Sequence, residues 1–203
     1  MKGHLFALGL TGSIGMGKST AAEIFAGLGH PIWSADNAVE KLYSTGGEGV
    51  AAIAGFLPEA VPHRDGPVSK EILSQLLLGR PEMLQAVEKA IHPLVGRERQ
   101  RFFDACRAAG KKLAIAEIPL LFETGAENGL DAVAVVSVPI YCQAARVMRR
   151  TGMSVQKFDA IRRRQMPDWE KRRRADYVID ASTRERAGTD IERIVADILR
   201  SLN

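Results

Sequence analysis

A chain of 203 residues with 46% hydrophobic and 26% charged residues is long enough to bury a full core, in one domain with embedded subdomains. No apolar run approaches the roughly 18 residues of a membrane span, and Cys106 and Cys142 form no C-x-x-C, which fits reduced thiols in a cytoplasmic protein. The net charge of +4 is uneven: residues 146–174 hold eleven basic side chains against three acidic ones, so this segment carries +8 and the remainder −4.

The chain opens with an apolar run at residues 5–10 that reads as a buried strand. No signal-peptide pattern precedes Gly12. Gly12, Ser13, Ile14, Gly15, Met16, Gly17, Lys18 and Ser19 then fit G-x-x-x-x-G-K-[ST], and a helical pattern from Thr20 onward supplies the strand–loop–helix setting of that motif. Its glycines let successive backbone N–H groups converge on phosphate oxygens, backed by the positive end of the following helix. Lys18 has the reach for β- and γ-phosphates, and Ser19 offers a hydroxyl to Mg²⁺. A nucleoside triphosphate is expected at residues 12–20. The histidines, His4, His30, His63 and His92, show no ligand spacing, so a metal site built from protein side chains alone is not expected.

Gly29, His30 and Pro31 interrupt the pattern, and Ile32-Trp33 predicts a short second strand. Open α/β sheets bind ligands beyond the carboxyl ends of their strands, which places Asp36 where chemistry is expected. Ser34 and Asp36 are equally suited to capping the helix at residues 37–43, so the residues alone leave capping and catalysis side by side for Asp36. Residues 44–110 contain no strand-forming run. They predict a short helix at 49–57, a loop at 58–67 containing Asp65-Gly66, and a helix at 69–78 capped by Ser69. A longer helical stretch runs from Pro81 to Gly110, and Pro93 is expected to kink or split it. Strands follow at 113–118 and 132–138, then the arginine-rich helical region, a last short strand at 177–179, and a helix at 184–202 with Ile191, Ile194, Val195 and Ile198 on one face.

Strands alternating with helices predict an α/β fold with a doubly wound parallel sheet of about five strands. The expected organisation is a single domain, 1–203. Residues 1–36, 111–140 and 176–203 form its phosphate-loop core, 37–110 a helical acceptor-binding insertion, and 141–175 an arginine-rich lid. Guanine recognition is not expected, since no asparagine is followed by lysine and no D-x-x-G occurs. Small size, a helical insertion and late arginines point instead to a small-molecule kinase, in which lid arginines neutralise the transferring phosphoryl group.

Several motifs, in order, resemble one family, dephospho-CoA kinase. Residues 8–20 resemble its L-T-G-G-I-G-S-G-K-S-T, Ser34-Ala35-Asp36 its D-A-D, and Ile91-His92-Pro93-Leu94-Val95 its L-H-P-L-I. Ile118-Pro119-Leu120-Leu121-Phe122-Glu123 is similar to V-P-L-L-F-E, residues 143–150 to Q-L-x-R-L-x-x-R, and residues 175–180 to A-D-x-V-I-D. The resemblance implies ATP-dependent phosphorylation of the ribose 3′-hydroxyl of dephospho-CoA, the last step of coenzyme A synthesis, with Mg²⁺. It makes Asp36 the general base, which accepts the hydroxyl proton as the new P–O bond forms. It sets Arg146 and Arg150 on the phosphates beside Lys18, four residues apart and so on one helix face, and adds Gln165 to the ATP site. Thr11, His92, Pro119, Leu120 and Glu123 are the implied acceptor contacts. For His92 the alternative is satisfying the backbone at the Pro93 kink; for Glu117 and Glu123 it is a place beside Mg²⁺ or a plain strand-end charge.

Three positions depart from the family pattern: Ser34 replaces the first Asp of D-A-D, Ile161 stands where an Arg is common, and Ala181 where an Asn is common. The expected partners are ATP and dephospho-CoA, with no membrane, no nucleic acid, and a monomeric or small homo-oligomeric state. A nucleoside or nucleoside monophosphate kinase shares the loop and differs only in its acceptor. A nucleic-acid-binding protein using the basic segment has only Phe158 and Trp169 there for stacking.

Overall fold

The computed structural model describes residues 4–63 and 66–202; the Asp65 turn signal lies outside the described residues. The chain forms two compact units, one of residues 1–33 and 103–203 and one of residues 34–102.

The first unit is built on a five-stranded sheet of β1 (Phe6–Thr11), β2 (Ile32–Ser34), β3 (Leu113–Glu117), β4 (Ala132–Ser137) and β5 (Tyr177–Asp180), in the order β2-β3-β1-β4-β5. β1 pairs in parallel with β3 and β4, and β4 with β5. Both central strands are nearly continuous apolar runs because helices cover both faces of a parallel sheet. Leu8, Leu10, Ile115, Ala134, Val136 and Ile179 face one side, where they pack on Ala21, Ala22 and Phe25 of α1 (Lys18–Gly27) and on Ile191, Ile194 and Ile198 of a C-terminal helix at Arg184–Ser201. Gly9 faces the other side, where Leu121 and Leu130 approach so closely that a Cβ would stand 2.7 Å from each. With β3 and β4 on its two flanks, β1 lies at the switch in strand order, so the loop after it opens at the crevice where such sheets bind ligands.

The second unit is helical: α2 (Ala35–Tyr43), α3 (Glu48–Ala54), a 3₁₀ turn at Pro58–Ala60, α4 (Lys70–Leu77) and the greater part of α5 (Pro81–Ala108). Its core gathers Leu42, Tyr43, Val50, Ile53, Leu57, Val68, Leu73, Val87, Ile91 and Leu94. Backbone bonds from Val68 N–H to the Tyr43 carbonyl, and from Ser69 N–H to the Ala60 carbonyl, tie the loop before α4 to this core. Around it run ion pairs of Lys41 with Glu98 and of Glu48 with Arg97 and Arg101, at 2.7–3.0 Å together with Arg101–Glu98.

Pro93 does not split α5, which is continuous across it. Proline removes one N–H from the ladder, but Ile91 and Leu94 on either side are seated in the core, and this packing holds the helical path. No helix among the described residues is long and apolar enough to cross a membrane. The arginine-rich segment folds as three helices, α6 (Ile140–Met148), α7 (Val155–Arg163) and α8 (Asp168–Arg174), after which α9 is the C-terminal helix already placed.

Candidate active site

Glycine residues make the loop after β1 possible. At Gly12 the chain passes so close to β4 that a Cβ would meet the Val136 carbonyl oxygen at 2.6 Å. Gly17 caps α1 in the left-handed region, φ 98°, which a side chain would strain. Between them Ser13 and Met16 are buried, and the Met16 thioether accepts the Val138 N–H at 3.3 Å. The Lys18 ammonium crosses the loop to the Gly12 carbonyl at 2.7 Å. Ser19, one residue into α1, is exposed and its hydroxyl has no protein partner among the described residues. The first turn of α1 and a lysine thus share one concave stretch of backbone, an arrangement that attracts phosphate.

The arginine-rich segment is fastened to this loop. Arg146 Nη1 lies 3.4 Å from where a Cβ on Gly17 would stand, and Nη2 donates to the Ala181 and Ser182 carbonyls at 2.7 and 3.2 Å. The turn that accepts these bonds is itself held, because the Asp180 carboxylate takes both the hydroxyl and the N–H of Ser182. These bonds, with Arg186, keep the Asp180 pKa below its ordinary value. Gln165 accepts the Ile14 N–H at 3.0 Å.

Arg150 does not share a helix face with Arg146. α6 ends at Met148, Arg150 bonds back to the Val147 carbonyl beyond it, and Gly152 at φ 73° turns the chain away; four-residue spacing aligns side chains only inside a continuous helix. Arg150 is exposed, as are Arg149, Arg162, Arg163 and Arg164.

The acceptor residues implied by the resemblance divide between the units. Thr11 is fully buried at the end of β1, and its hydroxyl donates to the Pro119 carbonyl at 3.2 Å; Leu120 beside it is exposed. Glu123 Oε1 accepts the Met166 N–H at 2.7 Å and pairs with the Lys171 ammonium at 2.8 Å, while its Oε2 is buried without a hydrogen bond. This carboxylate is therefore engaged in holding α8. Asp36 and His92 belong to the helical unit. Asp36 lies in the first turn of α2, two residues after β2 ends, and Ser34 supplies the cap by accepting the Asn37 N–H at 3.5 Å. Capping thus does not occupy Asp36, whose carboxylate is exposed. His92 is exposed on α5 and makes no hydrogen bond among the described residues, so it does not satisfy backbone at Pro93.

Two residues gained no role from the sequence. Lys171 sits within a run of basic residues yet is fully buried, bonded to Glu123 and the Pro119 carbonyl. Gln143 is buried on α6 and donates to the Ile14 carbonyl at 2.8 Å. The signal for Gln143 was its place one turn before Val147 on the inward stripe of an amphipathic helix. Phe158 is buried, whereas Trp169 and, on α6, Tyr141 are open to solvent.

The dephospho-CoA kinase family model matches residues 6–186. The chain belongs to the dephospho-CoA kinase family. A relative of that name from Ruegeria pomeroyi is 46% identical over 193 residues, covering 95% of each chain, and one from Brucella abortus is 45% identical over 98% of this chain and 96% of its own. A crystal structure from Thermus thermophilus superposes with a TM-score of 0.81 at 33% identity, covering 98% of this chain and 99% of that one. Dephospho-CoA kinase from Campylobacter jejuni shares the fold, with a TM-score of 0.65 at 23% identity over 95% of this chain and 96% of its own.

Proposed function

We propose that this family member transfers the γ-phosphoryl group of ATP to the ribose 3′-hydroxyl of dephospho-CoA, giving coenzyme A and ADP in the cytoplasm. The observation that carries this reading is family membership over most of the chain, joined to a formed phosphate loop with Lys18 and Arg146 at its rim.

Residues 12–20 bind the triphosphate through backbone N–H groups, and Lys18 exchanges the Gly12 carbonyl for β- and γ-phosphate oxygens. Arg146 neutralises charge on the transferring group from a guanidinium already oriented by two carbonyls. Asp36 is the base: an exposed carboxylate not used as a cap can accept the hydroxyl proton. Mg²⁺ fits a site of this composition, because it is bound by a few protein oxygens together with substrate phosphates. Ser19 offers such an oxygen, and the described residues hold no cluster of three or more His, Cys, Asp or Glu side chains that would make a separate site. When bound, the ion screens the phosphate charge. Residues 37–110 present the acceptor, with His92 among its contacts, and residues 141–175 close over the nucleotide, with Arg150 and Gln165 as their further contributors. Thr11, Pro119, Leu120 and Glu123 complete the acceptor side, Glu123 by holding α8 in place.

Product analysis tests the reading. Incubation with Mg·ATP and dephospho-CoA is expected to yield ADP and a single phosphorylated acceptor whose new phosphorus resonance couples to the ribose 3′ position. Phosphate on another hydroxyl, or none transferred, contradicts it.

A further inference from the structure

Gln143 and Gln165 bracket part of the arginine-rich segment, and both reach the backbone of one residue, Ile14. Gln143 Nε2 donates to the Ile14 carbonyl at 2.8 Å, and Gln165 Oε1 accepts the Ile14 N–H at 3.0 Å. Residues 144–164 between them include Arg146, Arg149, Arg150 and Arg162 to Arg164. Gln143 is buried and Gln165 half-buried, so both bonds are at least partly withdrawn from water. α6 also presses on the loop beside this contact, since a Cβ on Gly15 would stand 2.5 Å from Val147 Cγ2 and 3.2 Å from the Gln143 carbonyl oxygen.

We infer that Gln143 and Gln165 form a clamp on the Ile14 backbone, one on each of the two peptide groups that flank its Cα, which sets the phosphate loop in its binding shape and fastens residues 143–165 of the arginine-rich segment to it. They are positioning residues. Gln165 on this account acts through the loop backbone, by spending its carbonyl oxygen on Ile14. Each glutamine uses the group its partner needs: the Ile14 carbonyl can only accept and its N–H can only donate, so one residue must offer an amide N–H and the other an oxygen. Holding the peptide group on each side of the Ile14 Cα fixes the backbone dihedrals of Ile14, and a rotation at either would turn the neighbouring N–H groups away from the phosphates. The clamp also keeps Arg146, three residues after Gln143, beside Gly17.

The inference rests on residues 12–19 being the ATP phosphate site, and it is independent of which acceptor is used. The test therefore measures Mg·ATP affinity by calorimetry without acceptor in the full chain and in Gln143→Met, Gln165→Met and the double variant, alongside hydrogen exchange at the Ile14 amide. Methionine keeps length and apolar volume while removing the amide. Each single variant is expected to weaken Mg·ATP binding about 3- to 10-fold, the range one buried hydrogen bond supports. Gln165→Met is expected to speed Ile14 exchange by about the same factor. Because either loss releases the backbone at the same residue, Ile14, the double variant should bind no worse than about twofold below the weaker single variant. In turnover with the accepted substrate, KM for ATP should rise while KM for the acceptor stays within about twofold, a split that general destabilisation would not produce. Gln165 is only half-buried, so its variant keeps the test readable if Gln143→Met folds poorly. Unchanged ATP affinity and Ile14 exchange in Gln165→Met would overturn the inference. So would losses that multiply in the double variant, which would mean two independent contacts.

Discussion

Asp36 and Lys171 show how differently two charged residues can be used. Ser34 takes the cap of α2, which leaves the Asp36 carboxylate free of backbone duty and exposed. Asp36→Asn keeps the volume and removes the basicity, so kcat should fall about 10²- to 10⁴-fold, the usual contribution of a general base, with Mg·ATP affinity within about twofold of the parent. A kcat within threefold or so of the parent would remove Asp36 as the base. Lys171 looks like one more basic residue in its run, yet it is the one that the fold buries, because Glu123 and the Pro119 carbonyl accept hydrogen bonds from its ammonium. Nothing local distinguishes it from Arg172 and Arg173. The partner lies 48 residues earlier in the chain, and periodicity does not report such contacts. The phosphate loop is the opposite case: its glycines, Lys18 and Ser19 were legible because strand, loop and helix lie within one contiguous stretch.

At the scale of elements, the strands, the extent of α5 and the C-terminal helix could be read from apolar runs and spacing, whereas the continuity of α5 across Pro93 and the end of α6 could not. Packing of Ile91 and Leu94 carries α5 across Pro93, and α6 stops at Met148, which separates Arg150 from Arg146. The buried Lys171–Glu123 pair ties α8 to the chain after β3. Lys171→Met strands a largely buried carboxylate and should cost about 3 kcal/mol in urea unfolding. Adding Glu123→Leu should recover most of that loss, since the uncompensated charge goes with it; failure to recover would assign the loss to packing. Within the helical unit, hydrogen bonds from Lys41 and then Arg101 hold the Glu98 pKa below its ordinary value. A carboxylate depressed in the folded state contributes stability above its unfolded pKa and loses it as pH falls through the folded one. The stability difference between the parent and Glu98→Gln should therefore be largest near neutral pH and shrink on acidification toward about pH 3. A difference independent of pH would contradict this assignment. Its size is small, because exposed partners screen the pair.

Across the whole molecule, the charge asymmetry has a structural meaning. The segment that carries +8 is not a uniform basic face: Arg146 is drawn to the loop, Lys171 is buried, Arg174 pairs with Glu127 and lies over the Phe122 ring, and the rest face solvent. Such a division supplies the few oriented cations that a phosphoryl-transfer enzyme needs. The acceptor is the central claim, and initial rates of ADP formation test it most directly. The assay uses Mg·ATP with dephospho-CoA, nucleosides, nucleoside monophosphates or no acceptor. The account predicts turnover with dephospho-CoA alone, above the acceptor-free rate, and coenzyme A as the product. Faster turnover with a nucleoside monophosphate, or none with dephospho-CoA, would contradict it.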